Sequence, residues 1–312
     1  MFNNGLITWD AQAALGFVIS QTSHIERTVN ETIYPDIQYA ELIPVDTSAH
    51  PMAKSVTYYS SDKFGQAKWI NGNSDDVPIA GSERAKHETF VYTAGIGYAY
   101  GWEEIRHAQM IGQNLEAEDA AAARRAYEEF VDTVALFGDV SKNFKGLINN
   151  SGVTAISAPQ GDWGGSGSTV GGIVGDINAG IMAVGTDTKW TSLANTVLLP
   201  HEKLAFLAET MLDGTSVSLL AWVLANNVYT TMTGRPLMIR ATRNLMTAGA
   251  GSTARMIAYR RDPSVLKLHI PMPHQFLPAY QAGPLRVEVP GVFRIGGLDI
   301  RRPLEVRYVD GI

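Results

Sequence analysis

Two short patterns in the sequence carry residue types that can bind a metal ion. Glu104 and His107 stand three residues apart, a helical spacing that carboxylate-bridged metal sites use. Such a site needs a second Glu-x-x-His pair on another helix, and the sequence has none. His201-Glu202 lacks the distal histidine of a His-Glu-x-x-His zinc site, since position 205 is Ala205. We therefore interpret the first pair as a surface or interface feature, and Glu202 as a favourable charge at a helix start.

A glycine-rich stretch, GDWGGSGSTVGGIVGD at 161–176, resembles three known motifs only in part. The Gly-Ser-Gly run at 165–167 begins like a dinucleotide fingerprint, but Val170 stands at the third glycine position. No phosphate-binding Gly-x-x-x-x-Gly-Lys-Ser/Thr occurs, and the hydrolase pattern Gly-x-Ser-x-Gly fails around Ser166 because Ser168 replaces the last glycine. These failures favour a flexible surface loop. They predict no catalytic, metal-binding or cofactor-binding residue.

The composition argues against several classes of function. The chain has 312 residues, 45% of them hydrophobic, so it can bury a sizeable core as one large domain or two. A net charge of −6 and an isoelectric point near 5.7 argue against broad attraction to nucleic acid, which depends on clustered Lys and Arg. The absence of cysteine excludes a disulfide framework and thiolate catalysis, and it fits a reducing cytoplasm.

The N-terminal segment does not predict export or membrane insertion. No Lys or Arg precedes Arg27, so the positively charged region of a secretory signal is missing. No apolar run in the sequence approaches the length of a membrane span. We therefore expect a protein that is made and used in solution.

One segment has the period-two pattern of an unusually long strand. From Thr89 to Tyr100 the even positions are mostly aromatic or aliphatic, beginning with Phe90 and Tyr92. A second β-rich segment, Ala53 to Ile70, precedes it, and turn-forming residues lie between the two. The pattern predicts an extended hairpin with a mobile tip from Asn71 to Glu88. Because a lone hairpin is only marginally stable in water, its aromatic face is expected to lie on another surface.

Apolar spacing predicts helices before and after this hairpin. A mostly apolar stripe from Ala11 to Val29 is typical of a helix near the N-terminus. The segment Glu116 to Phe137 predicts a long helix that ends at Gly138. Alternating helices and strands follow, and the tail is again rich in strand-forming residues. We expect strands near both ends of the chain to pair, with an inserted α/β domain between them.

Three further stretches complete a resemblance to a known family. They are the helix ending VALFGD, the following FKGLINNSGV and the later NTVLLPHEKLAFL. Together with the hairpin, this order resembles the tailed-phage major capsid family of the Hong Kong 97 type, whose fold encapsulins share. In that family a helix ending in Phe-Gly-Asp or similar leads into a Gly-Leu-hydrophobic-Asn segment. The residues that match this pattern are Phe137, Gly138, Gly146, Leu147, Ile148 and Asn149.

The resemblance covers most of the chain and implies an α+β fold, the Hong Kong 97-like major capsid fold. It implies an N-terminal arm over 1–50 and an extended β-hairpin loop over 51–100. A peripheral domain would comprise 101–155 and 285–312, with Glu116 to Phe137 as its spine helix. An inserted α/β axial domain would comprise 156–284. The hairpin is then long because it acts between chains.

The resemblance also implies a function. The chain would be a self-assembling subunit of an icosahedral phage head, built from hexamers and pentamers, that encloses double-stranded DNA without sequence-specific binding. Its partners would be other copies of itself, together with portal and minor or decoration capsid proteins, and no membrane. It would reside in the virion after assembly in the host cytoplasm. Six aromatic residues are candidates for contacts between subunits: Tyr58, Phe64, Trp69, Phe90, Tyr92 and Tyr98.

Two alternatives remain open from the sequence. An encapsulin-like compartment would have the same fold and would enclose cargo proteins. A soluble α/β enzyme would bring its catalytic residues together only in the fold. The failed motifs make the enzyme the weaker alternative, and no enzymatic activity or cofactor is predicted.

Overall fold

A five-stranded sheet forms the largest layer of the structure, a computed structural model that describes residues 36–70, 77–111, 115–212 and 214–312. The helix predicted from Ala11 to Val29 lies outside these ranges. Neighbouring strands are parallel at both edges of the sheet and antiparallel in its middle. In spatial order the strands are β10 (Met238–Thr242), β9 (Thr196–Pro200), β11 (Arg255–Tyr259), β18 (Val306–Asp310) and β8 (Ala155–Ser157).

Helix α4 (Val170–Asp187) covers one face of this sheet. Its Ile173, Ile177 and Ile181 are almost fully buried, at the spacing of one helical face. Gly180 allows close packing, because a Cβ there would lie 3.1 to 3.3 Å from side chains of β11 and β18. Three shorter helices complete this core: α5 (His201–Glu209), α6 (Leu219–Ala225) and α7 (Val228–Thr233).

Smaller sheets join the middle of the chain to its tail. Strand β4 (Tyr92–Gly95) pairs with β16 (Gly291–Ile295), and β5 (Tyr98–Gly101) pairs with β15 (Arg286–Val289). The predicted pairing of strands from distant parts of the chain is therefore confirmed. Strand β13 (Met272–Phe276) lies beside β16, and β14 (Tyr280–Gly283) lies beside β15. A further sheet consists of β1 (Val45–Asp46), β12 (Leu266–His269) and β17 (Gly297–Ile300).

The prediction of one continuous strand from Thr89 to Tyr100 is wrong. The segment divides because β4 and β5 belong to different sheets. Gly97 lies between them, and a Cβ at this position would come 2.3 Å from the carbonyl oxygen of Val289. The alternation of side chains indicated extended backbone correctly, but it could not show that the pairing partner changes.

The long predicted helix is confirmed as α3 (Leu115–Phe137), which follows α2 (Trp102–Ile111). Val131, Val134 and Leu136 of α3 are buried in a second core, distinct from the one beneath α4. This core also contains residues of the short helix α1 (Tyr39–Leu42). The helix α3 therefore connects the first part of the described chain to the small sheets.

The residues matching the family pattern form a tight junction after α3. Gly138 has a φ of 75°, and β6 (Gly138–Asp139) pairs with β7 (Phe144–Lys145) around a short 3-10 turn. The N–H groups of Leu147 and Ile148 donate to the carbonyls of Ala135 and Leu136, each at 3.0 Å. These bonds satisfy carbonyl groups that a helix end leaves without partners.

Asn149 closes the same junction from its side chain. Its Nδ2 donates to the carbonyl of Phe137 at 2.8 Å, and its Oδ1 accepts from the N–H of Gly146 at 3.1 Å. A Cβ at Gly146 would lie 2.2 Å from the carbonyl oxygen of Leu136, so only glycine fits. The pattern Gly-Leu-Ile-Asn thus specifies how the chain turns back along α3.

The glycine-rich stretch is anchored, which corrects the prediction of a flexible surface loop. Trp163 is 3% exposed, and its indole Nε1 donates to buried Asp176 at 2.8 Å. Lys203 donates to Asp162 at 2.6 Å and to the carbonyl of Trp163 at 2.9 Å. The prediction of a loop from the glycines is correct. The loop is not free, because Trp163 anchors it to the core.

Strand pairing crosses the domain limits predicted from the sequence. Strand β18 comes from the predicted peripheral domain, yet it lies in one sheet with β9, β10 and β11 of the predicted axial domain. Strand β13 of the predicted axial domain pairs with β16 of the predicted peripheral domain. The limits at residues 101, 156 and 285 stay predictions.

Candidate assembly interface

A two-stranded hairpin carries mostly exposed side chains. Strand β2 (Ser55–Phe64) pairs antiparallel with β3 (Gly81–Phe90), from Ser55 opposite Phe90 to Phe64 opposite Gly81. The predicted hairpin is therefore present, but its second strand is 81–90 rather than the segment from Thr89 onward. Residues 81–88, predicted as a mobile tip, form strand, and 71–76 lie outside the described residues. The prediction missed β3 because a strand exposed on both faces shows no apolar alternation.

The two faces of the hairpin differ in exposure near its base. We define the inner face as the even positions of 56–64 with the odd positions of 81–89, and the outer face as the other side chains of both strands. On the inner face Val56, Tyr58 and Thr89 are half-buried, and Val91 just beyond β3 is 6% exposed. On the outer face Tyr59 is 70% exposed, and every outer-face side chain of β3 is exposed. The base of the inner face is therefore turned towards its own subunit.

Tyr58 holds the base of the inner face. Its ring stacks on His87 with centroids 4.8 Å apart, and the guanidinium of Arg301 lies 4.5 Å from the ring centroid. Burial, with the nearby charge of Asp299, raises the pKa of the Tyr58 hydroxyl. Ser60 belongs to the next inner-face pair towards the tip. Its Oγ lies 2.9 Å from Nε2 of His87.

The faces also carry opposite charges towards the tip. On the inner face Asp62 stands directly opposite Glu83, an arrangement of like charges that destabilises an isolated strand pair. The outer face carries Lys63, Arg84 and Lys86, of which Lys86 pairs with Glu88 at 3.2 Å. The hairpin is thus acidic on one side and basic on the other.

The six aromatic residues predicted for subunit contacts do not share one face. Tyr58 and Phe64 lie on the inner face, Phe90 lies on the outer face, and Trp69 is fully exposed beyond β2. Phe64 covers Gly81, where a Cβ would lie 2.6 Å from its ring. Their role in assembly stays a prediction.

Tyr92 and Tyr98 pack within their own chain. Tyr92, in β4, meets the ring of Phe144 with centroids 5.5 Å apart. Tyr98, in β5, contacts the ring of Phe276 at 5.3 Å. Sequence reasoning missed Tyr59, although it follows Tyr58 directly and period-two alternation places it on the opposite face.

The two residue pairs whose side chains could bind a metal ion lie on the surface. Glu104 and His107 are exposed on α2, and His201 and Glu202 are exposed at the start of α5. Over the described residues, no group of three or more His, Asp or Glu side chains is arranged to hold a metal ion. In the same part of the chain, no helix is both long and apolar enough to cross a membrane.

A buried charged cluster lies beneath the base of the hairpin. His269 is 1% exposed, with Nδ1 3.7 Å from Oδ2 of Asp46 and Nε2 3.5 Å from Oδ2 of Asp299. Lys267 pairs with Asp46 at 3.1 Å, and Arg301, which also contacts Tyr58, pairs with Asp299 at 3.0 Å. The cluster joins β1, β12 and β17 through side chains.

Both aspartates of this cluster are held ionised. Burial alone would raise the pKa of Asp299, but the contacts from His269 and Arg301 outweigh burial and lower it. Burial likewise opposes ionisation of Asp46, and hydrogen bonds from Ser48 and Lys267 hold its pKa well below the ordinary range. These charges act as structural links between strands.

Comparisons with known proteins agree with the fold. The capsid of Myoviridae phage XM1 superposes with a TM-score of 0.78 at 17% identity, covering 94% of this chain and 98% of that one. The capsid of an empty GTA particle gives 0.64 at 10% identity, covering 95% and 96%. A chain of Mycobacterium phage Ogopogo gives 0.62 at 9% identity, covering 94% and 98%. No curated protein sequence matches the chain.

The fold is therefore that of tailed-phage capsid proteins, as the resemblance in the sequence predicted. A sequence model of the family described as major capsid protein matches residues 65–312. The chain belongs to the major capsid protein family, and its role is structural.

Proposed function

We propose that this chain assembles with copies of itself into the closed icosahedral head of a tailed phage, as hexamers and pentamers. The observation that carries the proposal is the exposed hairpin, on which Tyr59 and Phe90 are 70% and 57% exposed. Exposed aromatic side chains at this density are typical of a surface that becomes buried against a partner. Membership of the capsid family supports another copy of this chain as that partner.

The geometry of a lone hairpin supports contact between different surfaces of two copies. A two-stranded ribbon without a further layer is marginally stable in water, so it gains stability when it lies on a neighbour. A contact between the hairpin of one subunit and a different surface of the next is heterologous. Repeated heterologous contacts close into rings, which is the arrangement that hexamers and pentamers need.

The proposed content of the shell is double-stranded DNA, held without sequence-specific binding. A net charge of −6 favours a shell that does not bind phosphate groups tightly. The proposed location is the virion, after assembly in the host cytoplasm, with portal and minor or decoration capsid proteins as further partners. Catalysis is not part of the proposal, since each sequence motif for it fails.

A shortened hairpin tests the proposal. Ser61 and Arg84 are directly opposite each other, so a two-residue Asn-Gly turn can replace residues 62–83 without moving the base. We expect the shortened chain to keep its circular dichroism spectrum and to lose closed particles in electron micrographs. The full-length chain under the same conditions is the control. Normal shells from the shortened chain would show that the hairpin is not the assembly element.

The content of native particles separates the remaining alternatives. Double-stranded DNA inside them agrees with a phage head, whereas protein cargo would indicate an encapsulin-like compartment. The enzyme alternative is tested by His107→Ala, His201→Ala and Ser166→Ala, which should leave assembly unchanged. A turnover activity that one of these substitutions removes, with the fold intact, would contradict the structural role.

A further inference from the structure

The difference between the two faces of the hairpin indicates which of them binds a neighbour. We propose that the outer face binds a second copy of this chain at an acidic surface, while the inner face stays turned towards its own subunit. This inference rests on the proposed shell function and adds the face and the charge of the partner surface. It requires the two faces to respond differently to assembly.

The base of the inner face already contacts residues of its own chain. Tyr58 lies between His87 and Arg301 of its own chain, and Thr89 and Val56 beside it are half-buried. The outer face has no comparable cover. Tyr59 and Phe90 are 70% and 57% exposed on it, and large aromatic side chains are the most frequent anchors of binding energy at interfaces.

Charge determines the kind of surface that the outer face fits. Among the residues that the structure describes, no carboxylate pairs with Lys63 or Arg84, so both cations are available to a partner. A chain of net charge −6 offers surplus carboxylates, and the exposed neighbours Glu103 and Glu104 at the start of α2 form one such patch. A second copy therefore supplies the complementary charge.

The inner face would be repelled by the same acidic surface. Asp62 and Glu83 lie directly opposite each other, and both are exposed. A carboxylate of a partner placed over this pair would add a third like charge at close range. Attraction at the outer face and repulsion at the inner face both favour one orientation of the hairpin on a neighbour.

Two adjacent serines give a matched test. Ser60 and Ser61 are both exposed in the subunit but lie on the inner and outer face respectively, and the chain has no cysteine of its own. We would purify Ser60→Cys and Ser61→Cys separately and measure the rate of reaction with a small neutral maleimide before and after assembly. Because only this chain is present, any new protection comes from another copy.

We expect assembly to slow the reaction of the thiol at position 61 about 10-fold or more, because tightly packed interface centres exclude water. The thiol at position 60 should change by roughly two-fold or less. Equal protection of both thiols, protection of position 60 alone, or protection of neither would overturn the assignment of the outer face.

Neutral substitutions test the charge. Lys63→Ser with Arg84→Ser should lower the assembled fraction about 10-fold at low salt, and the loss should shrink at high salt as screening increases. Asp62→Ser with Glu83→Ser is the control on the inner face and should not reduce assembly. If the two double variants assemble equally well, the acidic partner surface is wrong.

Failure of the inference is distinguishable from failure of the proposed function. If the unmodified chain forms no particles under any condition, the shell function itself is contradicted. If it forms normal shells but the two serine positions behave alike, only the assignment of the face is contradicted.

Discussion

Asp132 on α3 joins Arg243 to the start of the described chain. Its Oδ2 pairs with the Arg243 guanidinium, and its Oδ1 accepts hydrogen bonds from the N–H groups of Gln38 at 3.0 Å and Tyr39 at 2.9 Å. The carboxylate is fully buried, so the three donors compensate its loss of water. One side chain thus holds three distant segments of the chain together.

Asp132→Ala should destabilise the subunit by about 3 kcal/mol, because it leaves a partly buried guanidinium and two N–H groups without an acceptor. Urea denaturation of the unassembled subunit measures the change. The control is Glu129→Ala one turn earlier, where the ion pair with Arg125 is only partly buried. Removing that pair should cost about 0 to 1 kcal/mol. Equal losses in both variants would show that the buried carboxylate has no special role.

Gly146→Ala should be severe, because the new methyl group would meet backbone atoms of Leu136 and Phe137 at 2.2 to 2.5 Å. We expect a loss on the order of 3 kcal/mol or failure to fold, since backbone cannot move aside cheaply. Gly175→Ala is the matched control within α4, where the new methyl group meets nothing within 4 Å. It should stabilise the subunit by about 0.5 to 1 kcal/mol through helix propensity. Thermal melting distinguishes the two outcomes.

The cluster around His269 should make the unassembled subunit sensitive to acid. The pKa values of Asp46 and Asp299 are lowered in the folded state, so their contribution is present above the unfolded pKa and is lost as pH falls. The loss should begin below about pH 4, near the unfolded value for aspartate. Urea midpoints at a series of pH values measure it. Asp299→Asn should flatten this dependence, and an unchanged slope in that variant would exclude Asp299 as a contributor.

Tyr58→Ser should loosen the hairpin without unfolding the rest of the subunit. The substitution removes the ring that lies between His87 and Arg301, so the amides of β2 and β3 should exchange hydrogen faster. Mass spectrometry of hydrogen exchange in the free subunit reports this. Tyr59→Ser changes the next residue on the outer face and should leave exchange nearly unchanged. A similar increase in both variants would mean that Tyr58 does not hold the base.

Local patterns in the sequence were sufficient for elements whose stability depends on near neighbours. The apolar spacing before Gly138 predicted α3 to within one residue, and the family resemblance identified the segment that follows it. The geometry of Gly146 and Asn149 explains why that segment can be recognised from sequence at all. Only one residue type fits the first position, and the second completes two hydrogen bonds.

The candidate interface was predictable only in outline. The aromatic content of 53–100 indicated a hairpin, but which faces Tyr58 and Phe90 occupy depends on register, and register is set by pairing between distant residues. Strand β3 carries charges on both faces, so no apolar alternation marked it as a strand. The contact between Tyr58 and Arg301 joins residues far apart in the chain, and nothing near either residue encodes it.

The position of β18 in the central sheet has a consequence for synthesis. This strand lies between β11 and β8, and all five of its residues are buried, although it is translated after the other four strands. A nascent chain therefore exposes one edge of β11 and one of β8 until residue 310 has emerged from the ribosome. Products that stop earlier keep two open strand edges, which are targets for chaperones and proteases. A copy that stops before residue 306 lacks the strand that joins β11 to β8, so its central sheet stays divided into two parts.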